Sequence, residues 1–279
     1  MPELPEVETV RRGLVKAVKD ATIVGVTIYW ERIIMPPFSK EQFAKCLINE
    51  TIHDIHRRGK YLIFILDHWA LISHLRMEGK YSVTKAGAPL EPHTHLIFHL
   101  ADNRELRYQD VRKFGRMTLV PLPKVWDYFG KKNLGPEPIP EFFKLEEFKE
   151  QLKKHQGAIK PLLLNQKIVA GLGNIYTDEV LFQARIYPER PANSLSSKEV
   201  TALYQAIIAI LKDAIAKGGS TVRTYKNMIG ADGTYQNELK VYGRTGLPCV
   251  RCGALIEKIK VNQRGTHFCP VCQPKEGQK

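Results

Sequence analysis

The start of the chain could supply a nucleophilic amine beside carboxylates. The sequence opens with Met1 and Pro2, and removal of Met1 would leave Pro2 as a terminal secondary amine. A terminal amine is deprotonated more readily than a lysine because its pKa is lower. The free amine can attack the anomeric carbon of a sugar to form an imine, with Glu3 and Glu6 placed to handle protons. Carboxylates at this position could also serve only to stabilise a helix start.

The other end of the chain could bind a metal ion. Its cysteines form two Cys-x2-Cys pairs separated by sixteen residues, namely Cys249, Cys252, Cys269 and Cys272. Two such pairs supply four thiolates to a tetrahedral zinc ion, and a site without an open position is structural rather than catalytic. The segment between the pairs predicts a hairpin, with strands at Ile256–Val261 and Thr266–Phe268 and with Arg264 at the tip.

The charge of the chain favours a polyanionic partner. Lys and Arg outnumber Asp and Glu by 42 to 29, which gives a formal net charge of +13. Residues 240–279 hold eight Lys or Arg against two Glu, and Lys258, Lys260 and Arg264 in the predicted hairpin favour contacts with phosphate. The sequence shows neither a bilayer-spanning apolar run nor a signal-peptide pattern. We therefore expect a cytoplasmic or nucleoid-associated protein without a membrane partner.

The first half of the chain must position the amine. Residues 5–19 predict a helix, since Val7, Val10, Leu14 and Val18 fall on one face. Eight short runs of β-branched and aromatic residues then predict a sandwich or barrel. The runs are Thr22–Tyr29, Thr51–Arg57, Tyr61–Leu66, Ala70–Leu75, Lys80–Val83, His95–Leu100, Glu105–Tyr108 and Gly115–Val120.

Beyond residue 120 the pattern turns helical. Five prolines make residues 121–140 a candidate interdomain boundary. Helical segments follow at Leu145–His155, Lys160–Asn165, Ile175–Ala184 and Ser197–Lys217. Residues 219–238 contain Gly, Thr and Asn with weak periodicity and predict a loop.

Six motifs, in order along the chain, resemble those of one family. The stretches Pro2–Thr9, Arg58–Tyr61, His74–Gly79, Asp110–Gly115 and Gly171–Tyr176, together with the terminal cysteine pairs, resemble bacterial formamidopyrimidine-DNA glycosylase. The resemblance implies an α+β multidomain protein. It implies an N-terminal β-sandwich with a leading helix in residues 1–130, a helix–two-turn–helix domain with a lesion-capping loop in 131–238, and a zinc ribbon in 239–279. It also implies DNA bound in the cleft between domains.

The resemblance further implies a bifunctional enzyme. Such an enzyme excises oxidised purines, 8-oxoguanine and formamidopyrimidines, from duplex DNA, preferably opposite cytosine, and then cuts the strand by β,δ-elimination. In this chain Pro2 would be the nucleophile that forms the Schiff base, Glu3 the acid that helps to open the sugar, and Glu6 a support for proton transfer and positioning. Lys60 would be the proton donor in β-elimination. Arg264 would act in δ-elimination, with a phosphate clamp as a compatible role.

An enzyme that acts on a base in a duplex must flip it out and fill the gap. By resemblance Met77, Arg112 and Phe114 fill the gap, and Arg112 addresses the orphaned cytosine. Charged neighbours suggest exposed loop tips, although Met77 and Phe114 could be core residues on composition alone.

Further DNA contacts follow from the same resemblance. Asn174 is expected to contact phosphate and could also cap a helix. Lys160 and His93 match positions that face DNA. Glu78 and Thr224 are candidate pocket residues, the latter within a segment, 220–225, that would close over the extruded base.

One departure and two alternatives stay open. Gln156 stands where the family usually has a basic phosphate-contacting residue, so that contact is not transferred. The closest alternative is an endonuclease VIII-like glycosylase for oxidised pyrimidines, against which Leu4 and the loop of Arg112 and Phe114 argue. A non-catalytic zinc-ribbon DNA-binding protein is the other, and Lys60 with Pro2 argues against it. The sequence contains no evident oligomerisation segment, so we expect a monomer.

Overall fold

The computed structural model describes residues 1–220 and 233–276, and the chain folds into two compact units. The first unit comprises Met1–Asn133 with Ser220–Gly233, and the second comprises Leu134–Gly219 with Thr234–Lys279. Within the described ranges, every helix is too short or too polar to cross a membrane.

The first unit is a β-sandwich. Its strands are β1 (Ile23–Ile28), β2 (Asp54–Arg58), β3 (Tyr61–Ile65), β4 (Trp69–His74), β5 (Lys80–Lys85), β6 (Thr94–Leu100), β7 (Arg104–Gln109) and β8 (Arg116–Pro121). They pair antiparallel in two four-stranded sheets of order β1-β6-β7-β5 and β2-β3-β4-β8. Inward-facing side chains such as Leu62, Phe64 and Leu106 share one buried core.

The described part of this unit contains the α-helices α1 (Leu4–Val18), α2 (Lys40–Leu47) and α3 (Val125–Lys131). The apolar face of α1 is buried in the sandwich core, as its periodicity predicts. Helix α2 was missed by the sequence analysis, although Ser39 and Gln42 form a capping box at its start.

The second unit is helical with a two-stranded sheet. Its helices are α4 (Leu145–Lys153), α5 (Ile159–Leu164), α6 (Asn174–Gln183) and α7 (Ser197–Ala216), and its strands are β9 (Glu257–Val261) and β10 (Arg264–Phe268). Ser196 and Glu199 cap α7 reciprocally, since each side chain accepts the other residue's backbone N–H. Strands β9 and β10 pair antiparallel.

The predicted class is confirmed: a leading helix and β-sandwich, then helices, then a cysteine-bearing hairpin. Each of the eight predicted runs overlaps one strand of the sandwich. The division between the two units, at Asn133 and Leu134, falls inside the predicted boundary of residues 121–140, which also contains α3. Pro121 and Pro123 precede that helix, where a missing N–H is tolerated, and so they do not interrupt it.

Candidate active site and metal centre

The amino-terminal end of α1 buries the carboxylates that the sequence singles out. Pro2 is buried, and Glu3 and Glu6 are 2% and 4% exposed. One oxygen of Glu6 accepts the backbone N–H of Glu3 at 2.8 Å. The other accepts the backbone N–H of Ser220, also at 2.8 Å. Glu6 therefore stabilises the helix start and fixes the residue that precedes segment 221–232.

A third carboxylate on α1, that of Glu8, was not among the predicted site residues and links the helix to the β2–β3 turn. Nε of Arg57 donates to Glu8 at 3.2 Å, and Nη1 of Arg57 donates to the carbonyl of Gly59 at 3.0 Å. Burial alone would raise the pKa of Glu8, but hydrogen bonds and charges of neighbouring arginines outweigh it and lower that pKa. Glu8 is therefore ionised at neutral pH and holds the turn through Arg57.

That turn carries Lys60. Strand β2 ends at Arg58 and β3 begins at Tyr61, so Gly59 and Lys60 form a two-residue hairpin turn. Gly59 has φ +56°, which glycine adopts without strain. Lys60 is only 5% exposed. It is thus not the solvated surface lysine that is common at strand ends.

The loop after β4 carries Met77 and Glu78, both half-buried. Arg76 adopts φ +56° and donates its backbone N–H to Nδ1 of His74 at 3.0 Å. Burial, followed by the positive charges of Arg76 and Lys60, lowers the pKa of His74 to about 3. His74 is therefore neutral at physiological pH, and because Nδ1 accepts, Nε2 carries the hydrogen.

The loop between β7 and β8 presents Arg112 and Phe114 at the surface. Phe114 is 44% exposed, and the Arg112 guanidinium lies 4.8 Å from the centre of its ring. His93, at the start of β6, is also exposed and has φ +64°. These three side chains belong to the first unit.

Lys160 is placed differently from the prediction that it faces DNA. It is 0% exposed, and its ammonium donates to Asp178 at 2.6 Å, Thr266 at 2.8 Å and the carbonyl of Gly265 at 3.1 Å. Direct contact with phosphate is wrong for this arrangement, because the ammonium is directed into the second unit. Asp178, with its other oxygen, accepts the backbone N–H of His267 at 2.9 Å.

Asn174 is the first residue of α6, and Gly173 rather than Asn174 occupies the N-cap. The side-chain amide of Asn174 donates to the carbonyl of Gly265 at 2.9 Å. Lys160 and Asn174 therefore hold the same carbonyl, next to Arg264. Sequence reasoning could not place Lys160 here, because its partners on β10 lie more than 100 residues away along the chain.

Arg264 is exposed and begins β10, opposite Val261. The prediction that it sits at the hairpin tip is wrong by one position, because Asn262 and Gln263 form the turn. Both adopt positive φ, 47° and 66°, as a two-residue hairpin requires. Arg264 therefore has a strand-fixed backbone beside the turn.

The four predicted cysteines converge in the second unit. Their sulfur atoms all lie within 4.8 Å of one another, with Cys249 and Cys272 at 3.9 Å and Cys252 and Cys269 at 3.5 Å. Thiolates around a tetrahedral zinc ion stand about 3.8 Å apart, given Zn–S bonds near 2.3 Å. The cluster therefore supplies four sulfur ligands at separations that suit one structural zinc ion.

Glu179 connects α6 to the segment that leads into the cysteine cluster. Its carboxylate accepts the backbone N–H groups of Lys240, Val241 and Tyr242 at 2.9, 3.0 and 2.9 Å. Burial raises the pKa of Glu179, although the three N–H groups act in the opposite sense. Its spacing within α6 gives no hint of this role, because the recipients are in an irregular segment.

Gln156 is exposed. Thr224 lies outside the described residues, as does most of the segment 220–225.

Three family descriptions match consecutive parts of the chain. Residues 1–117 match the formamidopyrimidine-DNA glycosylase N-terminal domain. Residues 134–226 match the formamidopyrimidine-DNA glycosylase H2TH domain. Residues 246–275 match a zinc finger found in FPG and IleRS.

Proteins that match nearly the whole length of the chain carry the same family name. Formamidopyrimidine-DNA glycosylase of Enterococcus faecalis is 56% identical over 100% of this chain and 99% of its own length. The Geobacillus kaustophilus protein of the same name is 52% identical over 98% and 100%. Among solved structures, Lactococcus lactis Fpg in complex with DNA containing an abasic site has a TM-score of 0.94 at 51% identity, covering 98% of this chain and 100% of that one. A Lactococcus lactis mutant with Fapy-dG DNA has the same score, identity and coverage.

Proposed function

Because this chain belongs to the formamidopyrimidine-DNA glycosylase family, we propose that it removes oxidised purines from duplex DNA and then cleaves the strand. The observation that carries the proposal is the buried start of α1, where Pro2 is buried and Glu3 is held by Glu6, in a chain that matches this family from end to end. The relatives and solved structures do not favour the pyrimidine alternative, since those described above are purine-lesion enzymes by name or were solved with abasic or Fapy-dG DNA.

Base removal uses the Pro2 amine as the nucleophile and the Glu3 carboxyl as the acid. After removal of Met1, the Pro2 nitrogen attacks C1′ of the damaged nucleotide, and the bond from C1′ to the base breaks with its electron pair leaving on the base. The attached nitrogen gives up its proton, and the departing base takes up a proton. The C1′–O4′ bond then breaks while Glu3 protonates O4′, and the Pro2 lone pair completes a cationic imine. Burial of Glu3 keeps the acid out of bulk water, where its proton would exchange freely.

Strand cleavage uses the acidity that the imine confers. Loss of a C2′ proton expels the 3′ phosphate by β-elimination, and loss of a C4′ proton expels the 5′ phosphate by δ-elimination. Lys60 donates the proton needed in the first step, and Arg264 assists the second while binding phosphate. The hydrogen bonds from Arg57 to Glu8 and to Gly59 support this role by fixing the backbone of the Lys60 turn relative to α1.

Recognition of the duplex rests on the surface loops of the first unit. Met77, Arg112 and Phe114 fill the space left by the extruded nucleotide, and Arg112 donates hydrogen bonds to the unpaired cytosine. His93 adds a contact to the backbone, and Glu78 and Thr224 contribute to the pocket for the base. The exposure of Arg112 and Phe114 beside each other supports this assignment.

The second unit supplies phosphate contacts. Zinc, bound by the four cysteines, stabilises the β9–β10 hairpin, so that Arg264 is presented on ordered strands. Asn174 and Lys160 hold Gly265 from inside, and Lys160 therefore acts on DNA only indirectly. Three functional modules result, over residues 1–130, 131–238 and 239–279. We propose a monomer that acts in the cytoplasm or nucleoid.

The substrate class is tested with two matched duplexes, one carrying 8-oxoguanine opposite cytosine and one carrying an oxidised pyrimidine. We expect strand cleavage of the purine duplex with phosphate at both new ends, which marks β,δ-elimination. Pro2→Gly and Glu3→Gln should each abolish base excision and leave most of the DNA affinity. Preferential cleavage of the pyrimidine duplex, or full turnover by either variant, would overturn the proposal.

A further inference from the structure

The turn that carries Arg112 and Phe114 is organised around one buried carboxylate. Asp110 is 1% exposed. Its Oδ1 accepts the backbone N–H of Arg112 at 3.0 Å, and its Oδ2 accepts those of Phe114 and Gly115 at 2.8 and 2.7 Å. Hydrogen bonds to an ionised carboxylate are roughly twice as strong as neutral ones. A single side chain therefore fixes the backbone of both residues that are proposed to enter DNA.

Asp110 is itself held through its main chain. Its N–H donates to the carbonyl of His93 at 3.1 Å, and its carbonyl accepts the N–H of Lys113 at 3.2 Å and Nε2 of His95 at 2.8 Å. His95 is 5% exposed. Asp110 is thus fixed to strand β6 of the sandwich through His95, and its carboxylate has a fixed origin.

The turn has little freedom to adopt another shape. Lys113 takes φ +58°, a left-handed conformation that costs a residue with a β-carbon free energy. A β-carbon on Gly115 would lie 1.8 Å from the hydroxyl oxygen of Tyr108, so the backbone there lies directly on that ring. Such a conformation persists only where the surroundings impose it.

The same ring limits the neighbouring loop. A β-carbon on Gly79 would lie 2.2 Å from the Tyr108 hydroxyl oxygen, and Gly79 ends the loop that carries Met77. Both loops proposed to fill the DNA gap therefore close on Tyr108, which is 1% exposed. Asp110 adds the polar constraint on one of them.

We propose that Asp110 is a positioning residue that presets the turn of Arg112 and Phe114 before DNA is bound. This inference rests on the proposed function, in which these two side chains enter the duplex. A turn that is already ordered loses little conformational entropy when its side chains enter DNA. More of the free energy of the new contacts therefore contributes to binding. Asp110 thereby determines how strongly the enzyme discriminates between bases opposite the lesion, although it does not contact DNA.

Asp110→Asn is the direct test, because the amide keeps the shape of the side chain but replaces one accepting oxygen with an NH2 group. We expect excision from 8-oxoguanine opposite cytosine to fall roughly tenfold or more. The preference for cytosine over adenine opposite the lesion should fall toward unity. Cleavage of a single-stranded oligonucleotide with a preformed abasic site should be unchanged, because that substrate has no opposite base.

Asp102→Asn is the matched control. Asp102 lies in the exposed β6–β7 turn and pairs with Arg104, so the same chemical change occurs on the same unit away from the turn. It should leave all three readouts at wild-type values. Zinc content and thermal unfolding, measured for both variants, separate repositioning from loss of the fold.

Two comparisons separate the inference from the function on which it rests. The variant with Arg112→Ala and Phe114→Ala should lose opposite-base discrimination, and Asp110→Asn added to it should change discrimination no further. If that double variant discriminates normally, the proposed function of the two residues is wrong. If it loses discrimination while Asp110→Asn alone retains it, only the positioning role is overturned.

If Asp110→Asn does not fold, a second pair of variants, at Lys113, tests whether the turn is preset. Lys113→Gly and Lys113→Asn both remove the ammonium, but they differ in backbone freedom. Glycine adopts the left-handed conformation and many others without strain, whereas asparagine tolerates the left-handed conformation and has fewer alternatives. We expect Lys113→Gly to discriminate less between opposite bases than Lys113→Asn. Equal discrimination by the two would contradict a preset turn.

Discussion

Glu6 and Ser220 lie 214 positions apart in the sequence, yet the Glu6 carboxylate accepts the Ser220 backbone N–H at 2.8 Å. The other oxygen of the same carboxylate accepts the N–H of Glu3. One buried side chain therefore joins the start of α1 to the residue before segment 221–232. Under the proposed function, this places the acid Glu3 and the entry to the base-capping segment on a common support.

Glu6→Gln should weaken this support. An amide can accept through only one of its two polar atoms, so one of the N–H groups of Glu3 and Ser220 loses its partner. A hydrogen bond to a charged group contributes about 1.5–3 kcal/mol, and we expect excision of 8-oxoguanine to slow by roughly tenfold to a hundredfold. Single-turnover excision measures the change. Glu41→Gln, in the exposed first turn of α2, is the control and should be neutral.

Glu8 should make the stability of the first unit sensitive to acid. Its pKa in the folded state is below the ordinary 4.5, so its contribution is present above pH 4.5 and is lost as the pH falls through the lower folded-state value. Glu8→Gln should be less stable at neutral pH and should lose less stability on acidification. Urea unfolding at several pH values tests this, with exposed Glu147→Gln as the control. Parallel pH curves for wild type and Glu8→Gln would contradict it.

Lys160→Met should destabilise the second unit. The change leaves Asp178 as a buried charge without its partner ammonium, which costs about 3–5 kcal/mol. The matched control is Lys153→Met, because the Lys153–Glu150 pair is exposed and contributes little. Denaturant unfolding distinguishes the two. Were Lys160 a direct phosphate contact, its variant would unfold like wild type and show a smaller salt dependence of DNA binding.

Loss of zinc should weaken DNA binding without altering the Pro2 amine. Cys249→Ser takes one thiolate from the four-cysteine cluster, and the β9–β10 hairpin that presents Arg264 then loses its fixed geometry. We expect weaker zinc retention, measured by metal analysis, and weaker binding to lesion-bearing duplex. Full affinity in the metal-free variant would show that the ribbon does not act in DNA binding.

Most of the fold could be predicted from the sequence because the patterns that indicate each element lie within short segments of the chain. Short runs rich in β-branched and aromatic residues predict all eight strands of the sandwich, and the spacing of the paired cysteines predicts the metal cluster. Helix α2 has only eight residues and two buried apolar positions, Phe43 and Leu47, so its pattern is too short to predict a helix. Helix α3 lies among prolines, which favour a boundary rather than a helix.

Partners distant in sequence limited prediction of the site. The burial of Lys160 depends on Asp178 and on Thr266, and no local pattern encodes that pairing. Asp110 is a different case, because its partners are only two to five residues away. It lies inside a predicted motif, but residue types alone do not show that the turn directs three backbone N–H groups to its carboxylate. Glu8 lies at a helix start, where an acidic residue stabilises the helix dipole, and the sequence does not show that it also pairs with Arg57, 49 residues away.

Borohydride trapping tests the central claim most directly. The protein is incubated with duplex containing 8-oxoguanine opposite cytosine, reduced, digested and mapped by mass spectrometry, beside an oxidised-pyrimidine duplex. The account predicts a covalent adduct on the purine duplex at the Pro2 nitrogen, with Met1 absent. An adduct at a lysine, an adduct confined to the pyrimidine duplex, or excision without any adduct would contradict it.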